Sequence, residues 1–345
     1  MKLQHIIEQH WYNKANPFLT LLLFPFSIIY AIIVRIRKCL FIFKLKTQTK
    51  IAIPVVVIGN ISVGGAGKTP LTKALAAELI AREIKVGIIL RGYKGNADKE
   101  LIVKTSDSSA VVGDEAMIYA QAGFRVAIAR KRVAAAQLLL REYPDTQLIL
   151  ADDGMQHYYL DRDMEICVVE SSRMFGNRHV LPLGPLREGM NRLNSVDAIV
   201  VNGYENHDRL ANILAKYKVP VYYQVLEFVH FYNPQTQHIA TVQEMKDKQL
   251  MAIAAIGNPT RFFSYLENLG VKLIKQQAFP DHYHYLKSDI NSQYAIITTE
   301  KDYTKLAQFA ASNIWVAVVN ARLDNNQLIE QMVHLTQKEY KTNGS

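Results

Sequence analysis

The stretch GNISVGGAGKTP, from Gly59 to Pro70, decides the fold of this chain. It follows the β-branched run Pro54–Ile58, which predicts a buried strand, and it precedes the helical pattern of Pro70–Glu83. A strand, a glycine-rich loop and a helix in this order are typical of a P-loop, in which backbone N–H groups converge on phosphate at the positive end of the helix. The sequence therefore predicts a nucleotide-binding α/β protein.

Each chemical role of a P-loop has a residue in this stretch. Its glycines allow close backbone approach to phosphate, Lys68 can reach the β- and γ-phosphates, and the Thr69 hydroxyl can ligate Mg²⁺. The strict pattern starts with a glycine where this chain has Ser62, which is tolerable if φ stays negative there. The alternative, a glycine-rich turn without a ligand, is disfavoured by the flanking strand and helix. The predicted nucleotide-binding residues are Ser62, Val63, Gly64, Gly65, Ala66, Gly67, Lys68 and Thr69.

Short apolar runs continue to alternate with helical stretches as far as residue 201. This alternation predicts a mostly parallel, doubly wound sheet with helices on both faces. The helical stretches include Glu115–Ala122. The further predicted strands are Val86–Leu90, Val126–Ala129, Leu148–Ala151, Ile166–Val169 and Ala198–Val201.

The pattern changes from about Pro220. Two alternating runs, Val221–Phe231 and His238–Val242, flank the turn sequence Asn233–Thr236 and predict a hairpin. Later runs predict the strands of a second, smaller α/β domain: Met251–Ile256, Val271–Gln276, Tyr294–Thr298 and Ile314–Val318. For 345 residues we expect an N-terminal segment over 1–50, a P-loop domain over 51–219, a hairpin linker over 220–250 and a C-terminal domain over 251–345.

A P-loop needs a carboxylate on a neighbouring strand to hold its metal ion. The run LILADDG, from Leu148 to Gly154, ends a predicted strand with Asp152 and Asp153. Acids at a strand tip alone would equally suit a turn or a helix cap, but beside a P-loop a metal role is favoured. Adjacent side chains cannot point the same way, so one aspartate is expected to bind directly and the other through water or substrate. The predicted Mg²⁺ ligands are Thr69, Asp152 and Asp153.

The nucleotide is predicted to be ATP. GTPases read guanine with an Asn/Thr-Lys-x-Asp tetrapeptide after a strand. Here Val201 is followed by Asn202-Gly203-Tyr204-Glu205, and the lysine of Thr299–Asp302 comes one place too late.

The N-terminal segment combines apolar and basic residues. Phe18–Val34 contains no charge, and as a helix it would extend about 26 Å, slightly short of a hydrocarbon core. Pro25 is expected to kink or interrupt that helix. Three interpretations are open: a buried core helix, a single membrane span, or an inserted or interfacial anchor, which is favoured. All three leave the body of the protein in the cytoplasm.

Charge is concentrated in the same segment. Residues 1–50 carry eight Lys and Arg against one acid, a net +7 of the chain's +9. Basic residues among large apolar ones suit an anionic membrane surface, whereas a nucleic-acid-binding protein would spread its charge over the folded body, so no nucleic acid is expected as partner. Only two cysteines, Cys39 and Cys167, are present, which excludes a disulfide framework.

Seven motifs together resemble the tetraacyldisaccharide 4′-kinases, the lipid A pathway enzymes of Gram-negative bacteria. They occur in the family's order over nearly the whole chain: GNISVGGAGKTP, RGYKG (91–95), VGDE (112–115), DDGMQH (152–157), LPLGPLRE (181–188), FPDHY (279–283) and TTEKD (298–302). The chain departs from the family pattern at Ala66, where threonine is common, and at Ala116, where proline is common. Neither departure removes a functional group.

The resemblance implies ATP- and Mg²⁺-dependent phosphorylation of the 4′-hydroxyl of a tetraacylated glucosamine disaccharide 1-phosphate, the lipid A precursor. It implies that this occurs at the cytoplasmic face of the inner membrane, since a substrate with four acyl chains does not leave the bilayer readily. It also assigns Asp114 as general base, supported by His282, with Lys68 holding the phosphates. Taken alone, Asp114 equally suits a helix N-terminus and His282 a surface position.

Arg91 and Tyr93 follow a predicted strand at its carboxyl end, where doubly wound sheets bind ligands, so they are candidate substrate-binding residues, with a plain polar loop as the alternative. The resemblance places Gln156 and His157, just beyond the acidic pair, near the acceptor sugar or the metal. Arg187 and Glu188, which follow a loop with Pro182, Gly184 and Pro185, could bind substrate phosphate or nucleotide. For the last two, a loop salt bridge between them is the alternative. Two other functions are open: a P-loop NTPase for metal-cofactor insertion or positioning, and a membrane-associated nucleotide-binding scaffold.

Overall fold

The computed structural model describes residues 2–92, 99–281, 283–290 and 293–337, with side chains from residue 6 onward. Strands and helices alternate along most of this length. The strands are β1 (Val55–Gly59), β2 (Val86–Leu90), β3 (Leu101–Ile102), β4 (Arg125–Ile128), β5 (Leu148–Asp152), β6 (Met164–Glu170), β7 (Ala198–Asn202), β8 (Val221–Asn233), β9 (His238–Ala240), β10 (Leu250–Ala254), β11 (Leu273–Ala278), β12 (Ala295–Thr299) and β13 (Ile314–Leu323). The α-helices are α1 (Lys2–Tyr12), α2 (Pro17–Ile42), α3 (Lys68–Ala81), α4 (Ser109–Val112), α5 (Asp114–Gln121), α6 (Arg132–Glu142), α7 (His207–Leu214), α8 (Val242–Lys246), α9 (Pro259–Asn268), α10 (Glu300–Leu306) and α11 (Gln327–Gln337).

All of these strands belong to one sheet. Their order is β11-β10-β12-β13-β8-β7-β6-β1-β5-β2-β4-β3, with β9 paired to β8. In the described chain every pairing is parallel except β3–β4, β8–β9 and β8–β13. The predicted mostly parallel sheet is confirmed, and each strand expected from the sequence is present.

Helices cover both faces of the sheet, as doubly wound folds require. On one face α3 buries Leu71, Leu75 and Leu79 in a core that continues over β1, β2 and β5. On the other face α6 buries Leu139 among the opposite side chains of the same strands. The strands are apolar on both faces because both are covered.

Strand β8 joins two parallel blocks. It pairs parallel with β7 and antiparallel with β13, so the predicted hairpin of β8 and β9 is also an integral part of the sheet. The second block has its own cores on both faces, in which α9 contributes Leu266 and α10 contributes Leu306. Helix α11 returns to the first block and packs beside α3.

The apolar N-terminal segment forms a single long helix, α2. The Asn16 side chain caps it by accepting hydrogen bonds from the N–H groups of Phe18 and Leu19, and Pro17 occupies its first turn. The helix runs through Pro25, so the expected interruption at that residue is wrong.

Helix α2 lies on the body without being buried in it. Its Ser27 hydroxyl donates to the Val180 carbonyl (2.8 Å) and its Phe41 ring packs between Tyr158 and Tyr159. Only 6% of its most apolar window is buried, so the interpretation as a soluble core helix is wrong. By length and composition alone, α2 could cross a membrane.

A buried ion cluster supports the loops beneath α2. Glu165 on β6 accepts from Arg162 at 2.8 Å and from Arg192 through its other oxygen. Arg192 in turn lies 3.4 Å from Glu188. Buried charges are tolerated only when they are paired in this way, because isolated burial costs several kcal/mol per ion.

We predict that Glu165→Ala destabilises the fold by about 3–5 kcal/mol, because largely buried Arg162 loses its carboxylate partner and buried Arg192 keeps only Glu188. The measurement is the free energy of unfolding from urea titration of the full chain. The matched control is Glu227→Ala, which breaks an exposed pair with Arg322 and is expected to cost about 1 kcal/mol or less. Similar losses in the two variants would contradict the role of the cluster.

Candidate active site

The glycine-rich loop lies between β1 and α3, as its sequence predicts. Gly64 (φ 102°) and Gly67 (φ 89°) take the left-handed conformation that glycine adopts at low cost. Gly67 is the N-cap of α3, so the loop delivers its backbone to the positive end of a helix. This geometry suits an anion, and phosphate is the usual one.

The first part of the loop is tied to the LPLGPLRE segment. Ser62 forms a bridge with Leu186, and the Val63 N–H donates to the Pro185 carbonyl at 2.8 Å. The Val63 N–H is therefore already hydrogen-bonded. The backbone groups next to α3 belong to the turn from Gly64 to Gly67. These contacts place Arg187 and Glu188 beside the loop.

Lys68 meets one of the two predicted metal-binding acids. Its side chain is buried, and Nζ lies 3.3 Å from Asp153 Oδ1. Asp153 sits in a turn with φ 48° and also accepts from Arg187 Nη1 at 2.9 Å. Burial raises the pKa of Asp153, but Lys68 and then Arg187 outweigh it and hold that pKa well below its usual value. Asp153 is therefore an anion held between two cations.

Asp152 points in a different direction, as expected for adjacent acids. It is 1% exposed, and its Oδ2 accepts from the Tyr119 hydroxyl at 2.7 Å. Burial raises its pKa to about 7, and the negative charge of Glu115 adds to this effect. Arg132, buried at the start of α6, donates to the Asp152 backbone carbonyl at 2.8 Å.

Asp114 lies in the first turn of α5, where the helix dipole favours an acid. Its Oδ2 is also 3.0 Å from Nζ of Lys305, a buried lysine on α10. A second link between the same two regions runs from Ser109 Oγ to the Thr304 carbonyl (3.0 Å). Asp114 is thus held by the second block of the sheet as well as by its own helix.

His282 lies outside the described residues, but its neighbour Asp281 does not. Asp281 is 3.3 Å from Nζ of Lys301, two positions after Thr299 in the TTEKD motif. Burial opposes a charged Lys301, but Asp281, Glu115 and Asp114 together raise its pKa. The FPDHY loop and Asp114 therefore face the same lysine.

The predicted substrate-binding residues have different surroundings. Tyr93 lies outside the described residues, and Arg91 is exposed after β2. Gln156 donates to the Asn60 carbonyl (3.1 Å) and to Glu188 (2.9 Å). Burial, reinforced by Arg132 and Arg91, lowers the pKa of His157 to about 3, so this imidazole is neutral.

Arg187 and Glu188 do not bridge to each other. Arg187 turns to Asp153, whereas Glu188 is 3% exposed and accepts from Tyr158 and Gln156. Through these contacts Glu188 holds the side chain of Gln156 in place. They leave Arg187 beside Lys68 at the centre of the site.

Sequence reasoning missed several residues of this site because each acts through a distant partner. Lys305, Tyr119 and Arg132 carry no motif of their own, although Arg132 follows a strand at its carboxyl end. Asn202 entered the sequence argument only as part of a guanine motif that the chain lacks. Its carboxamide donates to the Ala66 carbonyl at 3.1 Å, and Gln224 donates to the Gly67 carbonyl at 3.1 Å.

The second block also touches the glycine-rich loop directly. A Cβ added to Gly257 would lie 2.8 Å from the Gly65 nitrogen, so only glycine permits this approach. Lys73 on α3 is paired with Glu300 on α10 at 2.7 Å. The site therefore lies where the two blocks meet.

Comparison with known proteins gives a consistent result. Residues 19–337 match the family described as tetraacyldisaccharide-1-P 4′-kinase. The tetraacyldisaccharide 4′-kinase of Chromobacterium violaceum is 40% identical over 331 residues, covering 92% of this chain and 94% of the relative. That of Francisella tularensis subsp. tularensis is 39% identical over 317 residues, covering 90% and 97%.

The fold agrees with a solved structure. The crystal structure of LpxK from Aquifex aeolicus in complex with ATP superposes with a TM-score of 0.77, at 26% identity, covering 91% of this chain and 98% of that one. With the family matched over nearly its whole length and the glycine-rich loop, the acids and the basic residues assembled at one edge of its sheet, this chain belongs to the family of tetraacyldisaccharide 4′-kinases.

Proposed function

We propose that this chain transfers the γ-phosphate of ATP to the 4′-hydroxyl of a tetraacylated glucosamine disaccharide 1-phosphate in lipid A biosynthesis. The observation that carries the proposal is the convergence of Lys68, Asp153 and Arg187 on the glycine-rich loop, with Asp114 held nearby by Lys305. Family membership and the ATP in the Aquifex aeolicus structure support ATP as the phosphoryl donor. Incubation with labelled ATP and the lipid acceptor, followed by chromatography, tests the proposal.

The residues of the site fit ATP and Mg²⁺. The loop presents backbone N–H groups and Lys68 to the phosphates. Asp152, buried next to Glu115, is a carboxylate whose charge lacks a full counter-charge, which a divalent cation would supply. We assign Mg²⁺ to Thr69 with Asp152 as the acid next to the metal, and Asp153 to Lys68 and Arg187. When bound, Mg²⁺ would neutralise charge that develops on the phosphates.

We assign acceptor activation to Asp114. Phosphoryl transfer needs little covalent help, so the protein contributes position and charge. Asp114 would accept the proton of the sugar hydroxyl, and Lys305 Nζ lies 3.0 Å from its Oδ2. His282 would orient Asp114 and share the positive charge of the transferred proton. The neighbouring residues Arg91, Tyr93, Gln156 and His157 are proposed to receive the sugar.

We place the enzyme at the cytoplasmic face of the inner membrane, with α2 in the interface. The polar contacts of Tyr30 with the Arg187 carbonyl and of Arg37 with the Gln156 carbonyl tie α2 lengthwise to the body. A perpendicular span would carry these body residues into hydrocarbon, where their polar groups would be costly. The exposed side of α2 is apolar and is followed by basic residues, as interfacial helices require.

The first prediction from the proposed function concerns the glycine-rich loop. Lys68→Met is expected to lower kcat/KM for ATP by about 10²–10³-fold, because a charge that stabilises the transferring phosphoryl group is lost. Steady-state kinetics with the lipid acceptor measure this. Lys85→Met removes a lysine from an exposed pair with Asp145 and serves as control, with activity unchanged. Full activity in Lys68→Met would refute the proposed function.

The second prediction concerns the general base. Asp114→Asn is expected to lower kcat by about 10²–10⁴-fold with ATP affinity nearly unchanged. His282→Ala should likewise lower turnover more than ATP affinity, and the double variant should lose less than the product of the two single losses, because the pair acts as a unit. Asp208→Asn, at a fully exposed site, is the control. Parallel losses of turnover and ATP affinity, or independent effects, would argue against the pair.

The third prediction concerns membrane binding. Ile29→Glu and Ile33→Glu place charges on the exposed side of α2, where these side chains are 55% and 58% exposed. Each should weaken co-sedimentation with phosphatidylglycerol vesicles about tenfold. Ile239→Glu and Ile274→Glu, at similarly exposed positions on the body, are matched controls that should retain binding. Equal vesicle binding by both pairs of variants would contradict an interfacial α2.

A further inference from the structure

Two buried carboxamides lie directly beneath the glycine-rich loop. Asn202 is the last residue of β7 and Gln224 the fourth of β8, and the two are paired in the parallel register of these strands. Partners in register point to the same face of a sheet. Both side chains are removed from solvent, with exposures of 3% for Asn202 and 0% for Gln224.

Each carboxamide donates to a different backbone carbonyl of the loop. Asn202 Nδ2 lies 3.1 Å from the Ala66 oxygen, and Gln224 Nε2 lies 3.1 Å from the Gly67 oxygen. The reverse orientation of either amide would set oxygen against oxygen. The donors therefore define which way each carboxamide points.

A planar trans peptide converts these contacts into a direction for the opposite N–H groups. In such a peptide the carbonyl and the following N–H point to opposite sides. When Asn202 holds the Ala66 carbonyl, the N–H of Gly67 points to the opposite side. Gln224 holds the Gly67 carbonyl, which also accepts from the Leu71 N–H at 3.3 Å, and so helps to set the direction of the Lys68 N–H. These two amides stand where the loop enters α3.

Gly67 is shaped by the same contact. A Cβ at this position would lie 2.1 Å from Asn202 Nδ2 and 3.0 Å from Gln224 Nε2. Glycine therefore suits this position for two reasons: the backbone φ is positive, and the two carboxamides lie too close for a Cβ.

Burial of these two carboxamides costs folding free energy. Asn202 Oδ1 and Gln224 Oε1 are buried without a hydrogen-bond partner, and unsatisfied buried acceptors carry a desolvation cost. Apolar side chains of similar volume would avoid that cost. Stability alone therefore does not explain these residues.

We propose that Asn202 and Gln224 are positioning residues for the phosphoryl donor: they fix the N–H groups of Gly67 and Lys68 toward the nucleotide phosphates. The proposal rests on the nucleotide-binding role of the loop given above and deepens it. Through Gln224, strand β8, which pairs with both blocks of the sheet, contacts the backbone of the glycine-rich loop directly.

The test uses the full chain in detergent and two variants, Gln224→Met and Asn202→Leu, which keep side-chain volume but cannot donate. Binding of the non-hydrolysable analogue AMP-PNP with Mg²⁺ is measured by calorimetry, and the melting temperature is measured without nucleotide. We expect the Kd to rise about tenfold or more in each variant, because charge-assisted hydrogen bonds lose their alignment. Each variant also loses a buried hydrogen bond, so the nucleotide-free melting temperature should fall by about as much as in the control below.

The matched control is Asn233→Leu. Asn233 is a buried carboxamide on the same strand β8, and it donates to the Ser312 carbonyl at 2.7 Å, far along the strand from Gln224. This variant should lower the melting temperature and leave the Kd for AMP-PNP unchanged. Gln224→Glu is similar in size and has no side-chain donor when ionised. If an apolar variant folds poorly, the Kd of Gln224→Glu for AMP-PNP tests the proposal instead.

An unchanged Kd in any folded variant of Asn202 or Gln224 would overturn the proposal, as would a rise no larger than that in Asn233→Leu. A wild-type chain that binds AMP-PNP but phosphorylates no lipid acceptor would refute only the kinase function. The positioning role is read from nucleotide binding, so the two failures are distinguishable.

Discussion

Charge buried at the carboxyl edge of a parallel sheet is the constraint around which this protein is built. The strands are apolar on both faces, so ionic groups at their ends enter a space with little water, where every charge needs a partner. At that edge Lys68 and Arg187 share Asp153, and near the start of β6 Glu165 shares Arg192 with Glu188. These pairings, together with backbone contacts such as that of Val63 with Pro185, hold the loops of the site.

The same constraint connects the two blocks of the sheet. The acidic start of α5 and the basic residues of α10 come from opposite blocks, and an ion pair joins Asp114 to Lys305. The contact of Gly257 with Gly65 brings the blocks together at the glycine-rich loop itself. One interface therefore assembles the proposed general base and the glycine-rich loop, which suits an enzyme whose blocks approach each other around substrate.

The sequence predicted what depends on local pattern. Strand periodicity, the glycine-rich loop and the strand-tip acids are short-range signals, and the structure confirms the parallel sheet they imply. The contacts of Gln224 with Gly67 and of Lys305 with Asp114 join residues more than a hundred positions apart, which no window of sequence reveals. Glu188 was predicted to bind ligand or to pair with Arg187, and its burial against Tyr158 is a tertiary property that the sequence does not reveal.

Asp153 is shared between Lys68 and Arg187, and this sharing bears on how a nucleotide would bind. The Lys68 ammonium that a triphosphate requires is already neutralised by a carboxylate 3.3 Å away. On the proposed function, arrival of the nucleotide would be an exchange of ionic partners, in which a phosphate replaces the Asp153 carboxylate beside the lysine. Arg187, which contacts both carboxylate oxygens at 2.9 and 3.1 Å, would keep Asp153 neutralised. Departure of the nucleotide would reverse the exchange and restore the Lys68–Asp153 pair.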